Sequence, residues 1–281
     1  MINLKEAALQ LNRRNKMTPR TLIPLTLFYV VLFSCSQTPT GRRQLTLLPE
    51  DQLAKMGDQS FKQMQQQQKV SNNQDLKRRI ECISRRVVTS MNKDNDFSEW
   101  EVKVFESDAI NAFATPGKNI GVYTGLINAA QSNDQIASVI GHEVGHVLAS
   151  HGNERISQSL IVQGGLVAAD IALDSGNSQK NQMILGALGL GAQLGILLPY
   201  SRKHESEADQ IGLDLMAKAG FNPRAAVEFW QIMEKQSKSQ PPEWLSTHPA
   251  PTSRIKELEK NMNKAIKKYN TAKAKFRACP S

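Results

Sequence analysis

Apolar residues in the first third of the chain recur with the period of a helix. Ile80, Ile83 and Val87 are spaced by three and four residues, which predicts one buried helix face. We therefore predict a helix over about residues 74–91. A second helix is predicted just before it, over about residues 50–69.

A different pattern follows over residues 100–104, where apolar and charged residues alternate. A period of two indicates a strand with one buried face. Two more strands are predicted over residues 110–115 and 119–123, because Pro116 and Gly117 between them suit the central positions of a type II turn. The sequence thus predicts a small antiparallel sheet.

From Leu126 onward the pattern is almost wholly helical. The segment between Lys180 and Arg202 has no charged residue, but its four glycines and its polar residues favour a buried or membrane-apposed helix over a spanning one. We therefore predict an α+β protein that is mainly α, with the small sheet before the central helices. The helices predicted in this part cover about residues 132–151, 156–173, 182–198, 202–219, 223–235 and 252–269.

The N-terminus has the pattern of a secretory signal peptide. Basic residues precede the apolar run Thr21–Phe33, which is shorter than the roughly 20 residues that span a bilayer. Residues Leu32–Cys35 resemble a bacterial lipobox, which would place a lipid on Cys35 and anchor the protein to a membrane. A cleaved soluble signal and an uncleaved anchor remain as alternatives, and Met17 is an alternative start.

These features divide the chain into three parts. Residues 1–34 are expected to be a lipoprotein signal peptide, residues 35–49 a linker, and residues 50–281 one domain with a C-terminal helical tail. In an oxidising periplasm, Cys82 and Cys279 are candidates for a disulfide, with two free thiols as the alternative.

Charge narrows the class of partner. The chain has a formal net charge of +9, and much of the excess outside the leader lies between Lys256 and Arg277. This indicates either a solvated helix face or a surface for anionic lipid headgroups. We expect no nucleic-acid partner, because the sequence has no zinc finger, P-loop or basic patch interleaved with aromatic residues.

The strongest chemical signal is the H-E-x-x-H pattern of residues 142–146. Residues i and i+4 share a helix face, so His142 and His146 can bind one zinc ion. Glu143 lies about 100° around the helix, where it can take a proton from metal-bound water. Two glycines on another stripe of this helix, Gly141 and Gly145, indicate that a second backbone packs very close.

Catalytic zinc needs a third protein ligand and an open fourth position. The best candidates lie in the segment Ser201–Asp209, where Glu205 and Asp209 are also i and i+4. One carboxylate of this pair can bind zinc while the other holds a ligand histidine from behind. His151 and His204 are expected to be structural.

The H-E-x-x-H pattern with a distant E-x-E-A-D resembles the gluzincin zinc metalloendopeptidases of the HtpX, CAAX-protease and Oma type. The likeness covers about residues 41–254, and Thr40–Leu45 and Ser246–Pro249 resemble stretches of the periplasmic, lipid-anchored BepA-like branch. The resemblance implies a gluzincin-like helical metalloprotease core with Glu205 as the third ligand and Asp209 behind it.

The same resemblance implies a role for the loop of His248. This residue would stabilise the oxyanion as a catalytic group, or occupy the open zinc position and keep the enzyme latent; a surface histidine is the alternative. The resemblance also implies an edge strand at the active site, to which a substrate adds as a further strand. The residues that match this strand are Asn111, Ala112, Phe113 and Ala114.

Together these features predict a zinc-dependent metalloendopeptidase with one zinc per chain. It would act on polypeptides, as a protease that removes unfolded or misassembled cell-envelope proteins. Its expected location is the periplasmic face of the outer membrane, or the periplasm. The alternative function is a chaperone-like outer-membrane assembly factor whose protease site is largely latent.

Overall fold

The computed structural model describes five stretches of the chain, residues 35–91, 96–172, 201–237, 243–248 and 252–281. The predicted signal peptide and the helix predicted over residues 182–198 lie outside these stretches. Within them, no helix combines the length and the apolar character that crossing a membrane requires.

Helices surround a small sheet, which confirms the predicted fold class of a mainly α, α+β protein. An N-terminal hairpin consists of strands β1 (Cys35–Gln37) and β2 (Arg43–Leu45). The strands of the second sheet are β3 (Glu101–Phe105), β4 (Ala112–Thr115) and β5 (Asn119–Tyr123). The helices are α1 (Glu50–Gln67), α2 (Gln74–Thr89), α3 (Thr124–Ala129), α4 (Asn133–Leu148), α5 (His151–Ala172), α6 (Arg202–Lys218), α7 (Arg224–Ser237), α8 (Glu243–Thr247) and α9 (Thr252–Ala272).

Helix α2 begins close to the predicted position. The Asn73 side chain accepts hydrogen bonds from the backbone N–H groups of Asp75 and Leu76, and so caps the helix. Ile80 and Ile83 are fully buried on its inner face, in the apolar core that also contains the inner faces of α4 and α6. Burial of each such side chain contributes about 1.5–3 kcal/mol.

The second sheet is mixed, which corrects the prediction of a wholly antiparallel one. β4 and β5 form the predicted antiparallel hairpin, and Gly117 in its turn has a positive φ of 98°. β3 instead pairs parallel to β5, so the strand order is β3–β5–β4. The chain crosses from β3 at one edge of the sheet to β4 at the other edge, and β5 then pairs between them. Alternation of residues within a strand does not indicate where its neighbour in the sheet will be.

Residues 35–49, which the sequence predicts to be a linker, form hydrogen bonds with the domain. The backbone N–H of Leu47 donates to Ser157 Oγ at 2.8 Å, and that of Leu48 donates to Asn153 Oδ1 at 3.2 Å. Both acceptors lie on α5. The polar composition of this segment suggested exposure, but hydrogen bonds to the domain satisfy its polar groups.

The helix that carries the H-E-x-x-H motif is shorter than predicted. α4 begins as expected, because Ser132 Oγ accepts a hydrogen bond from the backbone N–H of Gln135. It ends at Leu148, and Ser150 adopts a left-handed φ of 51° before α5 begins at His151. The prediction of one helix to residue 151 is therefore wrong at its C-terminal end, because a serine seldom adopts this conformation and the sequence does not signal it.

Helices α4 and α6 pack with their backbones in near contact, as the glycines of α4 predicted. A Cβ atom on Gly141 would lie 2.9 Å from the carbonyl oxygen of Gly212, and one on Gly145 would lie 2.9 Å from that of Ala208. A Cβ on Gly212 would lie 2.7 Å from the backbone nitrogen of His142. Because these glycines have no side chain, the two helices that carry the candidate ligands approach each other closely.

The C-terminal tail returns to the first part of the domain. The sulfur atoms of Cys82 on α2 and Cys279 lie at bonding distance, 1.99 Å apart, which matches the pairing considered from the sequence. Nearby, Arg86 donates a hydrogen bond to the carbonyl oxygen of Ala219 at 2.6 Å and lies over the ring of Phe221. The tail and the end of α6 are thus both held against α2.

We expect the Gly212→Ala variant to lose about 1–3 kcal/mol of unfolding free energy, because its methyl group would meet backbone atoms of α4. Gly152→Ala on α5 is the matched control, since its added Cβ would meet only Pro116, at 4.0 Å. Urea unfolding of the metal-free proteins, followed by circular dichroism, measures both values. Equal unfolding free energies for the two variants would contradict the close packing of α4 on α6.

Candidate active site

Helix α4 brings both motif histidines to one buried point. His142 and His146 are one helical turn apart, and each is almost fully buried. Their Nε2 atoms lie 3.0 Å from each other. Two imidazole nitrogens at this separation can share one cation, because each neutral ring offers a lone pair.

Glu205 reaches the same point from the first turn of α6. Its Oε2 lies 3.4 Å from His142 Nε2, and its Oε1 lies 3.4 Å from His146 Nε2. Burial raises the pKa of this carboxyl, but hydrogen bonds from the surrounding imidazoles bring it well below its usual range. An ionised carboxylate therefore faces the two histidines, while Glu207 of the same segment points elsewhere, to His151.

His248 adds a further nitrogen to this group. Its Nδ1 lies 3.3 Å from His142 Nε2 and 3.1 Å from Glu205 Oε1. The side chain is buried, so the alternative of a surface histidine is wrong. The ligand atoms of His142, His146, Glu205 and His248 all lie within 4.8 Å of one another.

The separations given above, which involve both oxygens of Glu205, are close to those between the ligands of a tetrahedral zinc site. Zinc binds imidazole nitrogen and carboxylate oxygen at about 2.0–2.2 Å, so neighbouring ligands of a tetrahedron are about 3.3–3.6 Å apart. The separations given above run from 3.0 to 3.4 Å. Imidazole and carboxylate are also donors that zinc accepts. The residues present therefore fit the zinc that the sequence predicts.

Asp209 contacts His142 from outside the group of candidate ligands. Its Oδ1 lies 2.9 Å from His142 Nδ1, and Arg254 donates to both of its carboxylate oxygens at 2.6 Å. Arg254 also pairs with Glu205 at 2.5 Å and lies over the ring of Trp230. Burial lowers the pKa of His142, but hydrogen bonds to Asp209 and Glu205 raise it to about 9, so its surroundings favour a bound cation.

The group behind His146 was not predicted. His151 Nδ1 lies 2.9 Å from His146 Nδ1, and His151 Nε2 lies 3.1 Å from Glu207 Oε2. Burial lowers the pKa of His151 to about 4, so its imidazole is neutral near pH 7. In a continuous helix, residues 146 and 151 would point about 140° apart. The break at Ser150 brings the two rings together, and the residue pattern carries no signal for it.

Helix α8 covers the predicted base Glu143. Trp244 Nε1 donates a hydrogen bond to Glu143 Oε1 at 2.9 Å, and His248 Nε2 lies 3.5 Å from the same oxygen. The indole ring stacks on Trp230, with centroids 5.1 Å apart. Sequence periodicity could not predict α8, because five residues are too few to establish a period.

The predicted edge strand lies beside this cover. Within the described residues, β4 pairs with β5 on one side only, and Asn111 immediately precedes it. Asn111 Nδ2 donates to Glu243 Oε1 at 3.0 Å, and the carbonyl oxygen of Ile110 accepts a hydrogen bond from the backbone N–H of Trp244 at 3.3 Å. Helix α8 thus binds both the base and the chain leading into β4.

Phe113 has a packing role within that strand. Its ring forms edge-on and tilted contacts with three other aromatic rings, those of Phe61, Phe105 and Tyr123. This ring therefore anchors β4 to the sheet. If residues 111–114 bind substrate as expected, they do so through backbone hydrogen bonds and not through the ring of Phe113.

Comparison with known proteins places these residues in a wider context. Residues 71–262 match peptidase family M48. Mitochondrial metalloendopeptidase OMA1 of Schizosaccharomyces pombe is 34% identical over 176 residues, which cover 62% of this chain and 50% of that protein. The beta-barrel assembly-enhancing protease of Yersinia pestis is 30% identical over 231 residues, which cover 79% of this chain and 46% of that protein. The Escherichia coli protein of the same name is 29% identical over 215 residues, which cover 74% of this chain and 43% of that protein. The chain thus spans half or less of these relatives.

We expect the Arg254→Met variant to lose about 3–5 kcal/mol of unfolding free energy, because the Asp209 and Glu205 carboxylates would stay buried without their cation. Arg224→Met is the matched control: Arg224 is exposed, so we expect a change within about 0.5 kcal/mol. Urea unfolding with a chelator present keeps metal binding out of both values. If Arg254→Met loses no more unfolding free energy than the control, Arg254 does not compensate the buried charges of Asp209 and Glu205.

Proposed function

The chain belongs to peptidase family M48, and on that premise we propose that it is a zinc-dependent endopeptidase. His142, His146 and Glu205 hold the zinc, and Glu143 is the catalytic base. The observation that carries this proposal is the convergence of two imidazole nitrogens and one carboxylate from α4 and α6, with separations of 3.0–3.4 Å.

The roles of the individual residues follow from their positions. Bound zinc would polarise the scissile carbonyl and lower the pKa of water. Glu143 follows His142 directly on α4, so its carboxylate borders the ligand group, where it accepts a proton from water and returns it to the leaving nitrogen. Asp209 orients His142 through Nδ1 and leaves Nε2 for the metal.

The position of His248 supports the latent role over the oxyanion role. Its Nδ1 lies among the ligand atoms, at the distances expected of a fourth zinc ligand. Trp244 donates a hydrogen bond to one carboxylate oxygen of Glu143. In this arrangement His248 occupies the open metal position and Trp244 of α8 binds the base, so the protease is closed until α8 and His248 move away.

The substrate class is inferred from the edge strand and the relatives. A substrate paired with the outer edge of β4 has to be extended, which selects unfolded or misassembled chains. Two bacterial relatives are named for β-barrel assembly, and β-barrels are the spanning proteins of bacterial outer membranes. We therefore assign this protein to proteolytic quality control in the cell envelope.

The N-terminus supports a location at the periplasmic face of the outer membrane. A lipid on Cys35 would be attached at the first residue of β1, and it would hold the domain close to the bilayer because Arg42 in the turn of this hairpin bonds to Glu207 of α6. The closeness of the Cys82 and Cys279 sulfur atoms suits the oxidising periplasm. The alternative function, an assembly factor with a latent protease site, is favoured by the closed position of α8.

We expect Glu143→Gln to keep zinc and to lose at least about 100-fold in cleavage of a fluorescent casein substrate, because the amide cannot accept the proton. Glu205→Ala should lose both zinc and activity, since it removes a ligand. Metal analysis of the purified proteins accompanies the assay. Undiminished turnover in Glu143→Gln would refute the assigned base, and full zinc content in Glu205→Ala would point to another ligand.

If His248 is a latch, His248→Ala should raise casein cleavage above that of the wild type and leave three zinc ligands in place. Ser246→Ala is the control two residues away in α8, because Ser246 is exposed and its hydroxyl donates to the carbonyl oxygen of Glu243 within that helix. A fall in cleavage at unchanged zinc content would instead support the oxyanion role of His248.

A further inference from the structure

A chain of buried contacts leads outward from the zinc ligand His146. Its Nδ1 lies 2.9 Å from His151 Nδ1, and His151 Nε2 lies 3.1 Å from Glu207 Oε2. All three side chains are more than nine-tenths buried. His151 is 0% exposed, so water does not replace either of its contacts.

The ring nitrogens in this chain allow one arrangement of protons when metal is bound. His146 must leave Nε2 unprotonated for zinc, so its Nδ1 carries the proton and donates to His151 Nδ1. His151 then carries its own proton on Nε2 and donates it to the Glu207 carboxylate. Each contact has one donor and one acceptor, and the tautomer of His146 is the one that binding requires.

The outer end of the chain is closed by the N-terminal hairpin. The hydroxyls of Thr38 and Thr40 donate to Glu207 Oε1, and Arg42 Nε donates to Glu207 Oε2 at 2.6 Å. Arg42 also donates to both carboxylate oxygens of Glu154, at 2.7 and 2.9 Å. These donors hold the Glu207 carboxylate in place as the acceptor for His151.

The second ligand histidine has a support of the same kind. His142 Nδ1 contacts Asp209, and Arg254 neutralises Asp209. On the His146 side, the imidazole of His151 lies between the ligand and the Glu207 carboxylate. The arginine that pairs with this carboxylate is Arg42 of the N-terminal hairpin. Each ligand imidazole is thus oriented from behind by a carboxylate paired with an arginine.

We propose that His151 and Glu207 are positioning residues for the zinc ligand His146, and that docking of the hairpin residues 38–42 on Glu207 sets the zinc affinity of the site. The inference rests on the ligand set proposed above. It assigns the second glutamate of E-x-E-A-D and the hairpin after Cys35 to the same task. The hairpin then supports the metal site, although none of its residues is a proposed zinc ligand.

The first test compares two buried histidines that stack on each other. His151 and His204 have ring centroids 4.5 Å apart, and each contacts a carboxylate. His151 also contacts the zinc ligand His146. His151→Phe and His204→Phe both keep a ring and both lose a hydrogen bond to a carboxylate. We expect the zinc dissociation constant to rise about 10–100-fold in His151→Phe and less than about threefold in His204→Phe.

The measurement is competition for zinc with a chromophoric chelator, on the full chain, beside thermal unfolding of the zinc-free proteins. The zinc-free unfolding temperatures show whether either variant is damaged in general. Equal zinc affinities in the two variants, or affinity losses that follow zinc-free stability, would overturn the positioning role. Absence of zinc binding in the wild type would refute the proposed function instead.

A second test covers the case in which His151→Phe does not fold. Glu207→Gln keeps an acceptor oxygen for His151, whereas Glu207→Leu removes it. We expect Glu207→Gln to retain more of the wild-type zinc affinity than Glu207→Leu does. Equal losses would contradict a role that depends on the hydrogen bond.

The hairpin is tested by two neighbouring arginines. Arg42→Gln removes the ion pairs with Glu207 and Glu154, whereas Arg43→Gln makes the same charge change at an exposed position. We expect Arg42→Gln to weaken zinc binding about three- to tenfold, less than a direct partner of the ligand would. Arg43→Gln should bind zinc as the wild type does, and no difference between the two would overturn the role of the hairpin.

Discussion

The near contact of α4 with α6 is the constraint on which the site depends. Imidazoles from one helix and a carboxylate from the other converge here, where the two backbones approach each other closely. Gly141, Gly145 and Gly212 make that approach possible, since each would carry a Cβ within 3.0 Å of the opposite backbone. Side-chain size at a few contact positions therefore decides whether the ligand atoms can meet. Glu143, the proposed base, directly follows the candidate ligand His142 on α4.

The site compensates its buried charges on both sides of the ligand group. Carboxylates of Glu205 and Asp209 are shared by one guanidinium, that of Arg254, which is itself buried. On the opposite side, Glu207 and Glu154 share Arg42. Burying a carboxylate or a guanidinium group costs free energy unless an oppositely charged partner and hydrogen bonds offset that cost. The α4–α6 contact is therefore accompanied by two arginines from distant parts of the chain, one near each end of the described domain.

Features set by local periodicity could be predicted from the sequence, and features set by long-range crossings could not. The motif histidines, Glu205 and the glycine stripe follow from helical spacing and from resemblance to a family, and α2 and α6 lie close to their predicted ranges. The parallel pairing of β3 depends on a crossing that no strand pattern records. The contact of His151 with His146 depends on one left-handed serine, and the packing of residues 35–49 depends on partners more than 100 residues away. Residues 35–49 have the polar composition of a linker, but their polar groups bond to polar side chains of the domain.

A disulfide between Cys82 and Cys279, whose sulfur atoms lie at bonding distance, would enclose most of the domain in a covalent ring. Their separation in sequence is 197 residues, and the four candidate ligands all lie between them. A single peptide-bond cut inside this ring would produce two polypeptides that still travel as one molecule until the bond is reduced. A nicked molecule would therefore keep every ligand on the same covalent body. Electrophoresis without reductant would then fail to register the nick.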